Sequence, residues 1–215
     1  PIFQEPLEDI GDPLFWTPLF AVFHSLREEE ALQLLTEDIR EVDGIMVFDL
    51  CKGPGKQFKT EDSIRRIPVH KSLIALGLPE LVRLRRQQGE SRLFPHLIRN
   101  STRNTFSASF TKIFGRYREK VKIYDPKRDF HALRTTFNVE LIRNRVDAEI
   151  RKVLMGHRIL DVNYVHYSGE GYSLEHLRDV VNMIDIDIGM IRKPFAEPPA
   201  VAGLTAARRA FSVVS

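Results

Sequence analysis

Between Asp129 and Gly169 the sequence `DFHALRTTFNVELIRNRVDAEIRKVLMGHRILDVNYVHYSG` brings together three histidines, several arginines and two tyrosines. His131 and Arg134 stand three residues apart on a predicted helix, so both side chains project from one face and can reach one object. An isolated H-x-x-R is ordinarily a surface arginine beside a partly buried histidine. Gly156-His157 carries more information. A histidine just past a glycine C-cap has a fixed backbone and an accessible ring, able to donate to a phosphate oxygen or to shuttle a proton near neutrality. Further on, `NYVHYSGEGY` offers Tyr167, whose hydroxyl can attack phosphorus and become covalently bound. A phenol has a pKa of about 10, so it leaves readily when a sugar hydroxyl attacks back. That property suits breaking and rejoining a strand without metal or nucleotide. The commoner fate of a single tyrosine is to pack under a loop.

Two basic positions lie earlier in the chain. Ser25 with Glu28 reads as a capping box, which starts a helix just after Ser25 and puts Arg27 in its first turn. There Arg27 could grip a phosphate in a bidentate fork, with Glu30 spaced to orient it. A simple ion pair with Glu28, Glu29 or Glu30 is the alternative. A lysine on a hairpin edge can swing a mobile ammonium into a neighbouring site, and Lys52, Lys56 and Lys59 all qualify. Residue chemistry alone does not choose among them.

Other chemistries find less support. His131, His157 and His166 could converge on a metal, but the nearest acids, Asp147 and Asp161, make no recognised ligand spacing. `KGPGK` lacks the spacing and flanks of a phosphate loop. No cofactor and no metal is expected.

These residues need elements to position them. The apolar run 12–23 reads as a buried helix despite Pro18, and Leu32, Leu35 and Ile39 continue a helical stripe beyond Ser25. Asp43-Gly44 marks a turn before the strand `IMVFDL`, and `SIRRIPVH` reads as a second strand that Pro68 stops or pushes to an edge. Helices are expected in `LVRLRRQQ` (exposed and basic), `NTFSASFTKIFGRYREKV`, `FHALRTTFNVELIRNRV`, `DAEIRKVLMGH` with Asp147 at its start and Gly156 at its end, and `LEHLRDVVNMI` opened by Ser173. The fold class is mostly α with a small antiparallel β-sheet (α+β). One domain is expected over residues 1–192, with a Pro- and Ala-rich tail or linker over 193–215. The single cysteine, Cys51, excludes an intrachain disulfide and suits a reducing, cytoplasmic setting. No apolar run is long enough for a membrane span. The net charge is only +3, yet a pI of about 9.1 leaves room for a basic face, which permits a nucleic-acid partner without demanding one. Arg83, Arg85, Arg86, Arg116, Arg118 and Lys120 are candidates for backbone-phosphate contacts.

The order of the signals is more specific than any one of them. An arginine in an early helix turn, a lysine on a hairpin, then H-x-x-R, G-H and a tyrosine resembles the catalytic domain of tyrosine recombinases, the phage-integrase family. The resemblance runs from about Asp12 to Asp185 and is carried by `KTEDSIRRIPVH`, `HALRTTF`, `LMGH` and `YVHYSG`. It implies that Arg27 and Arg134 clamp the non-bridging oxygens of the scissile phosphate and that Lys59 protonates the leaving 5′ oxygen. It further implies that His131 assists proton transfer at the nucleophile and His157 hydrogen-bonds the phosphate. Tyr167 would be the nucleophile, giving a 3′-phosphotyrosyl intermediate; Tyr164, nearer His157, is the competing position. Glu30 matches an acidic position common in the family, whereas `HSL` before Arg27 departs from its usual small-residue approach. The implied function is site-specific DNA recombination at attachment sites on double-stranded DNA, by a homo-tetramer, with no membrane involvement. A catalytically inactive DNA-binding module is the alternative. The family's N-terminal DNA-binding domain is absent from this sequence, which also starts without methionine; the expectation is a fragment of a longer protein.

Overall fold

The structure is a computed structural model, and it describes residues 9–158, 171–191 and 193–194. Helix α1 (Pro13–His24) is the centre of the core. The Asp12 carboxylate accepts the Leu14 amide at 2.8 Å, and Pro13 occupies the first helical position, where no N–H is required. Phe15, Trp16, Leu19, Phe20 and Phe23 are all buried, as an almost wholly apolar helix demands. Pro18 is buried within it and forfeits one backbone hydrogen bond.

The next segment departs from the sequence reading. Ser25 does not open a helix; it closes α1 in a left-handed conformation (φ 53°), its amide bonded to Ala21 O at 2.9 Å. Helix α2 is only Glu28–Leu32, and Arg27 is its N-cap rather than a first-turn residue. The stripe through Leu35 and Ile39 is not helical either. Asp38 accepts the Leu35 amide at 2.8 Å and folds a 3-10 turn over Thr36–Asp38, after which Ile39 begins strand β1 (Ile39–Val42). Leu32 and Ile39 are both buried, but in different apolar clusters. Their helical spacing is a coincidence of two core positions.

The sheet has the order β1-β2-β3, with β2 spanning Ile45–Leu50 and β3 Arg65–Pro68, all antiparallel. Asp43 (φ 51°) and Gly44 (φ 75°) make the two-residue reversal between β1 and β2, where left-handed backbone matches the strand twist. Pro68 ends β3, an edge strand, where its missing N–H costs little.

Helices α3 (Lys71–Ala75) and α4 (Leu78–Gln87) follow, then α5 (Ser107–Lys120), α6 (His131–Arg143), α7 (Ala148–Met155) and α8 (Leu174–Val181). Helix α6 packs along α1, and α7 and α8 pack on β3. A second cluster of Ala21, Leu32, Phe106, Phe110, Phe114 and Phe130 seats α5 beside α2. Its anchor is polar. Glu29 accepts the amides of Phe106 and Ser107 at 2.8–3.1 Å, at the start of α5.

Helix α4 is less exposed than its composition suggests. Arg85 is buried, donating to Leu93 O at 3.2 Å and pairing with Asp9 at 2.7 Å. Arg86 donates to Thr36 O and Ile39 O at 2.7 and 2.8 Å. Arg85 is spent inside the protein and does not belong to a DNA track, whereas Arg83, Arg86 and Arg116 remain exposed. Among the described residues, no helix is long and apolar enough to cross a membrane.

Candidate active site

Helix α7 ends in a two-bond closure at Gly156. The Gly156 amide bonds to Val153 O at 3.1 Å and the His157 amide to Lys152 O at 2.9 Å, with Gly156 at φ 63°. This fixes the His157 backbone and leaves the last carbonyls of α7 without intrahelical partners. Three arginines from three distant segments take them in succession. Leu154 O accepts from Arg65 Nε at 3.0 Å, Met155 O from Arg134 Nη2 at 3.1 Å, and Gly156 O from Arg27 Nη2 at 3.0 Å. Arg134 Nη1 also donates to Ser25 O at the end of α1. Guanidiniums thus gather where two helix C-termini concentrate partial negative charge.

One carboxylate holds them in register. Glu30, buried on the first turn of α2, accepts the Arg27 amide at 2.9 Å and Arg27 Nη1 at 2.6 Å. The same group pairs with Arg65 Nη2 at 3.1 Å and lies 4.0 Å from Arg134 Nη1. Burial alone would raise its pKa, but Arg65 and then Arg27 outweigh that and hold Glu30 below the ordinary carboxylate value. Burial, followed by the charge of Arg27, lowers Arg134 to about 10, still fully charged at neutrality. Its Nε is buried with no partner among the described residues. Ser63 Oγ accepts from Arg27 Nη1 at 3.1 Å and ties the β2–β3 connection to the same cluster.

The three lysines are now distinguishable. The Lys56 side chain is buried, ion-paired with Asp38, and 3.7 Å from Cys51 Sγ. Lys52 pairs with Glu61 at 2.7 Å on the exposed side of the loop. Lys59 is exposed and has no hydrogen-bond or ion-pair partner among the described residues, and it faces the cleft.

That cleft has a volume of about 890 Å³. Arg27, Lys59, His131, Arg134 and His157 line it, together with Gly156, Arg158 and the Thr60–Asp62 segment. Five of the six residues singled out from sequence therefore share one cavity. The sixth, Tyr167, lies outside the described residues, as do Tyr164 and His166. The expected pairing of an exposed arginine with a half-buried histidine is reversed: Arg134 is buried, and His131, first residue of α6, is exposed. The His157 pKa is held below its ordinary value by partial burial, then by Arg134, Arg27, Arg65 and His131. Sequence reasoning missed Arg65 and Ser63. A period-2 reading puts Ser63, Arg65 and Ile67 on one face, and that face is the buried one. Among the described residues, no group of three or more His, Cys, Asp or Glu is arranged to hold a metal ion.

Guanidinium, imidazole and ammonium groups around one open cleft are donors that could hold the oxygens of a phosphoryl group. Compared with known families, residues 16–169 match the phage integrase family, and the chain belongs to that family. Membership supports a function of the site-specific recombinase type, with DNA as the partner it binds. Neither the curated proteins nor the solved structures contained a match.

Proposed function

We propose that the chain breaks and rejoins DNA strands, with Tyr167 as nucleophile and no metal in the reaction. The observation that carries this reading is the convergence of Arg27, Lys59, His131, Arg134 and His157 on one cleft. The Tyr167 oxygen attacks the scissile phosphorus while His131 accepts the phenolic proton. Arg27, Arg134 and His157 hold the non-bridging oxygens as negative charge gathers on them in the five-coordinate state. Donors already placed before the reaction cost no reorganisation when that charge develops. Lys59 delivers a proton to the departing 5′ oxygen, leaving a 3′-phosphotyrosyl bond and a free 5′ hydroxyl. A second 5′ hydroxyl then reverses the step onto a new strand, and the bond energy is conserved throughout. The substrate is double-stranded DNA at attachment sites, and a homo-tetramer brings two duplexes together.

Incubation with a pool of nicked duplexes of randomised sequence tests this. Loss of the short fragment downstream of the nick traps the adduct, and intact-protein mass spectrometry reads it. The expected result is one DNA adduct per chain, insensitive to EDTA and absent from Tyr167→Phe. An adduct that persists in Tyr167→Phe moves the nucleophile, with Tyr164 the first replacement. DNA binding with no adduct makes the chain an inactive DNA-binding module.

A further inference from the structure

We propose that Arg65 is a positioning residue for the reaction, setting the two phosphate-facing arginines relative to the end of α7; this rests on the function proposed above. Arg65 does not line the cleft. Its side chain is 5% exposed, and its hydrogen bonds are spent inside the protein. Nε donates to Leu154 O at 3.0 Å, Nη1 to Ser63 O at 2.7 Å and to Glu30 Oε1 at 3.3 Å, and Nη2 to Glu30 Oε2 at 3.1 Å. One planar group thereby joins α2, the Lys59-bearing connection and the C-terminus of α7. Each of these three segments supplies a residue to the cleft.

Neutralising Glu30 does not require Arg65, because Arg27 already pairs with that carboxylate at 2.6 Å. A third guanidinium against one buried carboxylate leaves excess positive charge and carries a desolvation cost. Its effect is geometric. Arg65 approaches both oxygens of Glu30 and fixes the plane of the carboxylate. The Arg27 guanidinium then meets Glu30 through Nη1 alone, beside the bond from the Arg27 amide, and turns Nη2 onto Gly156 O.

The glycine of the Gly-His pair supplies independent support. A Cβ at Gly156 would lie 2.7 Å from Arg65 Nη1 and 3.0 Å from Arg65 Cζ. The end of α7 therefore accepts Arg65 only because residue 156 has no side chain. Lysine cannot replace the contact set, since one ammonium on a flexible stem does not reproduce a planar fork with several fixed donors.

The test uses Arg65→Lys, Glu30→Gln and the double variant in the full chain, with the nicked duplex captured best by the unaltered protein. Arg65→Lys is expected to slow single-turnover cleavage at saturating DNA by about a hundredfold, the scale of a small misplacement of reacting groups. KM for the duplex should change by less than about threefold. The double variant should be no slower than the slower single one, because both act through one carboxylate. Cleavage by Arg65→Lys within about threefold of the unaltered chain overturns the proposal. So does a fall in rate that tracks lost thermal stability and adds to that of Glu30→Gln.

A second measurement needs no DNA. In the free chain, Arg27 Nη2 is held on Gly156 O, so its side-chain NMR signals should be resolved, and Arg65→Lys should average them. If the unaltered chain forms no adduct, the reading of the site falls and the NMR arm decides alone. Unchanged Arg27 signals in Arg65→Lys would then reject positioning, and averaged signals would uphold it.

Discussion

Arg27 and Gly156, 129 residues apart in sequence, are joined by a 3.0 Å hydrogen bond from the guanidinium of one to the carbonyl of the other. The arginine that opens α2 is thereby registered on the residue that closes α7, immediately before His157. Coupling of this kind makes the cleft sensitive to changes that touch no substrate.

Gly156→Ala is the sharpest such change. A left-handed alanine costs on the order of 1 kcal/mol, and overpacking a filled site adds about 1–3 kcal/mol. The added carbon would meet the Arg65 guanidinium and also Asp62 O, at 3.0 Å, and backbone does not move aside cheaply. Denaturant unfolding should show a loss of about 2–4 kcal/mol. DNA cleavage per folded molecule should fall at least about tenfold, as Arg65, Arg27 and His157 shift together. Wild-type stability in the variant would mean that the end of α7 is free to adjust.

Lys59 and Lys56 should fail in opposite ways. Lys59→Ala removes an exposed side chain with no partner among the described residues, so stability should stay within about 0.5 kcal/mol. Its cleavage rate should drop by about 10²–10⁴-fold, the usual scale for losing a general acid. A duplex with sulfur in place of the leaving 5′ oxygen should restore most of that loss, because a thiolate departs without a proton. Lys56→Ala instead leaves Asp38 buried without its counter-ion and should cost about 3–5 kcal/mol. Equal rates for oxygen and sulfur substrates in Lys59→Ala would assign the proton to another donor.

The helical parts of the fold were legible because their signals are local. Ser173 and Gly156 cap the helices whose ends they mark in sequence, and Asp43-Gly44 makes its turn. Strand β1 was not legible, because Leu32 and Ile39 imitate one helix face while serving two separate clusters. Ser25 was misread for a related reason. Its spacing to Glu28 fits a capping box, but the left-handed turn that ends α1 claims the residue first. The cleft was named from the order of five polar residues along the chain. Arg65 escaped because its importance lies wholly in its contacts with Glu30, Leu154 and Ser63, which no short-range pattern encodes.

His157 should couple DNA binding to protonation. Partial burial, then Arg134 and its neighbours, hold the free imidazole below its ordinary value of 6.5. A phosphate placed among those arginines offsets their field and raises the pKa, so binding takes up a proton as pH falls toward and below that value. Calorimetry with the nicked duplex near pH 6, in buffers of different ionisation enthalpy, should register uptake. His157→Gln should abolish it with the fold intact. No difference between buffers would place His157 away from the bound phosphate.

A buried histidine pair should set the response to acid. His24 Nε2 accepts the His70 amide at 2.8 Å, His70 Nδ1 accepts the Ser72 amide at 3.0 Å, and His70 Nε2 bonds to Ile184 O at 3.0 Å. Each ring accepts from a backbone N–H and so must be neutral. Burial lowers both, His24 well below 6.5 with a further push from His70, and His70 to about 4. The unfolded chain therefore binds protons that the folded chain refuses. The stability contributed by each ring is complete above pH 6.5 and is lost below it, at about 1.4 kcal/mol per pH unit per histidine. Glu28 works in the other direction. Burial, Glu29 and Asp129 raise it to about 7 against a hydrogen bond from Thr111, so its folded form gains a proton first as pH falls. The informative quantity is hence the difference between variants across pH 7 to 4.5. Glutamine at position 24 keeps an acceptor for the His70 amide and removes one titration, so the curve of His24→Gln should flatten on the acid side. Glu28→Gln should steepen it. Parallel curves for His24→Gln and the unaltered chain would show that His24 becomes protonated without unfolding the protein.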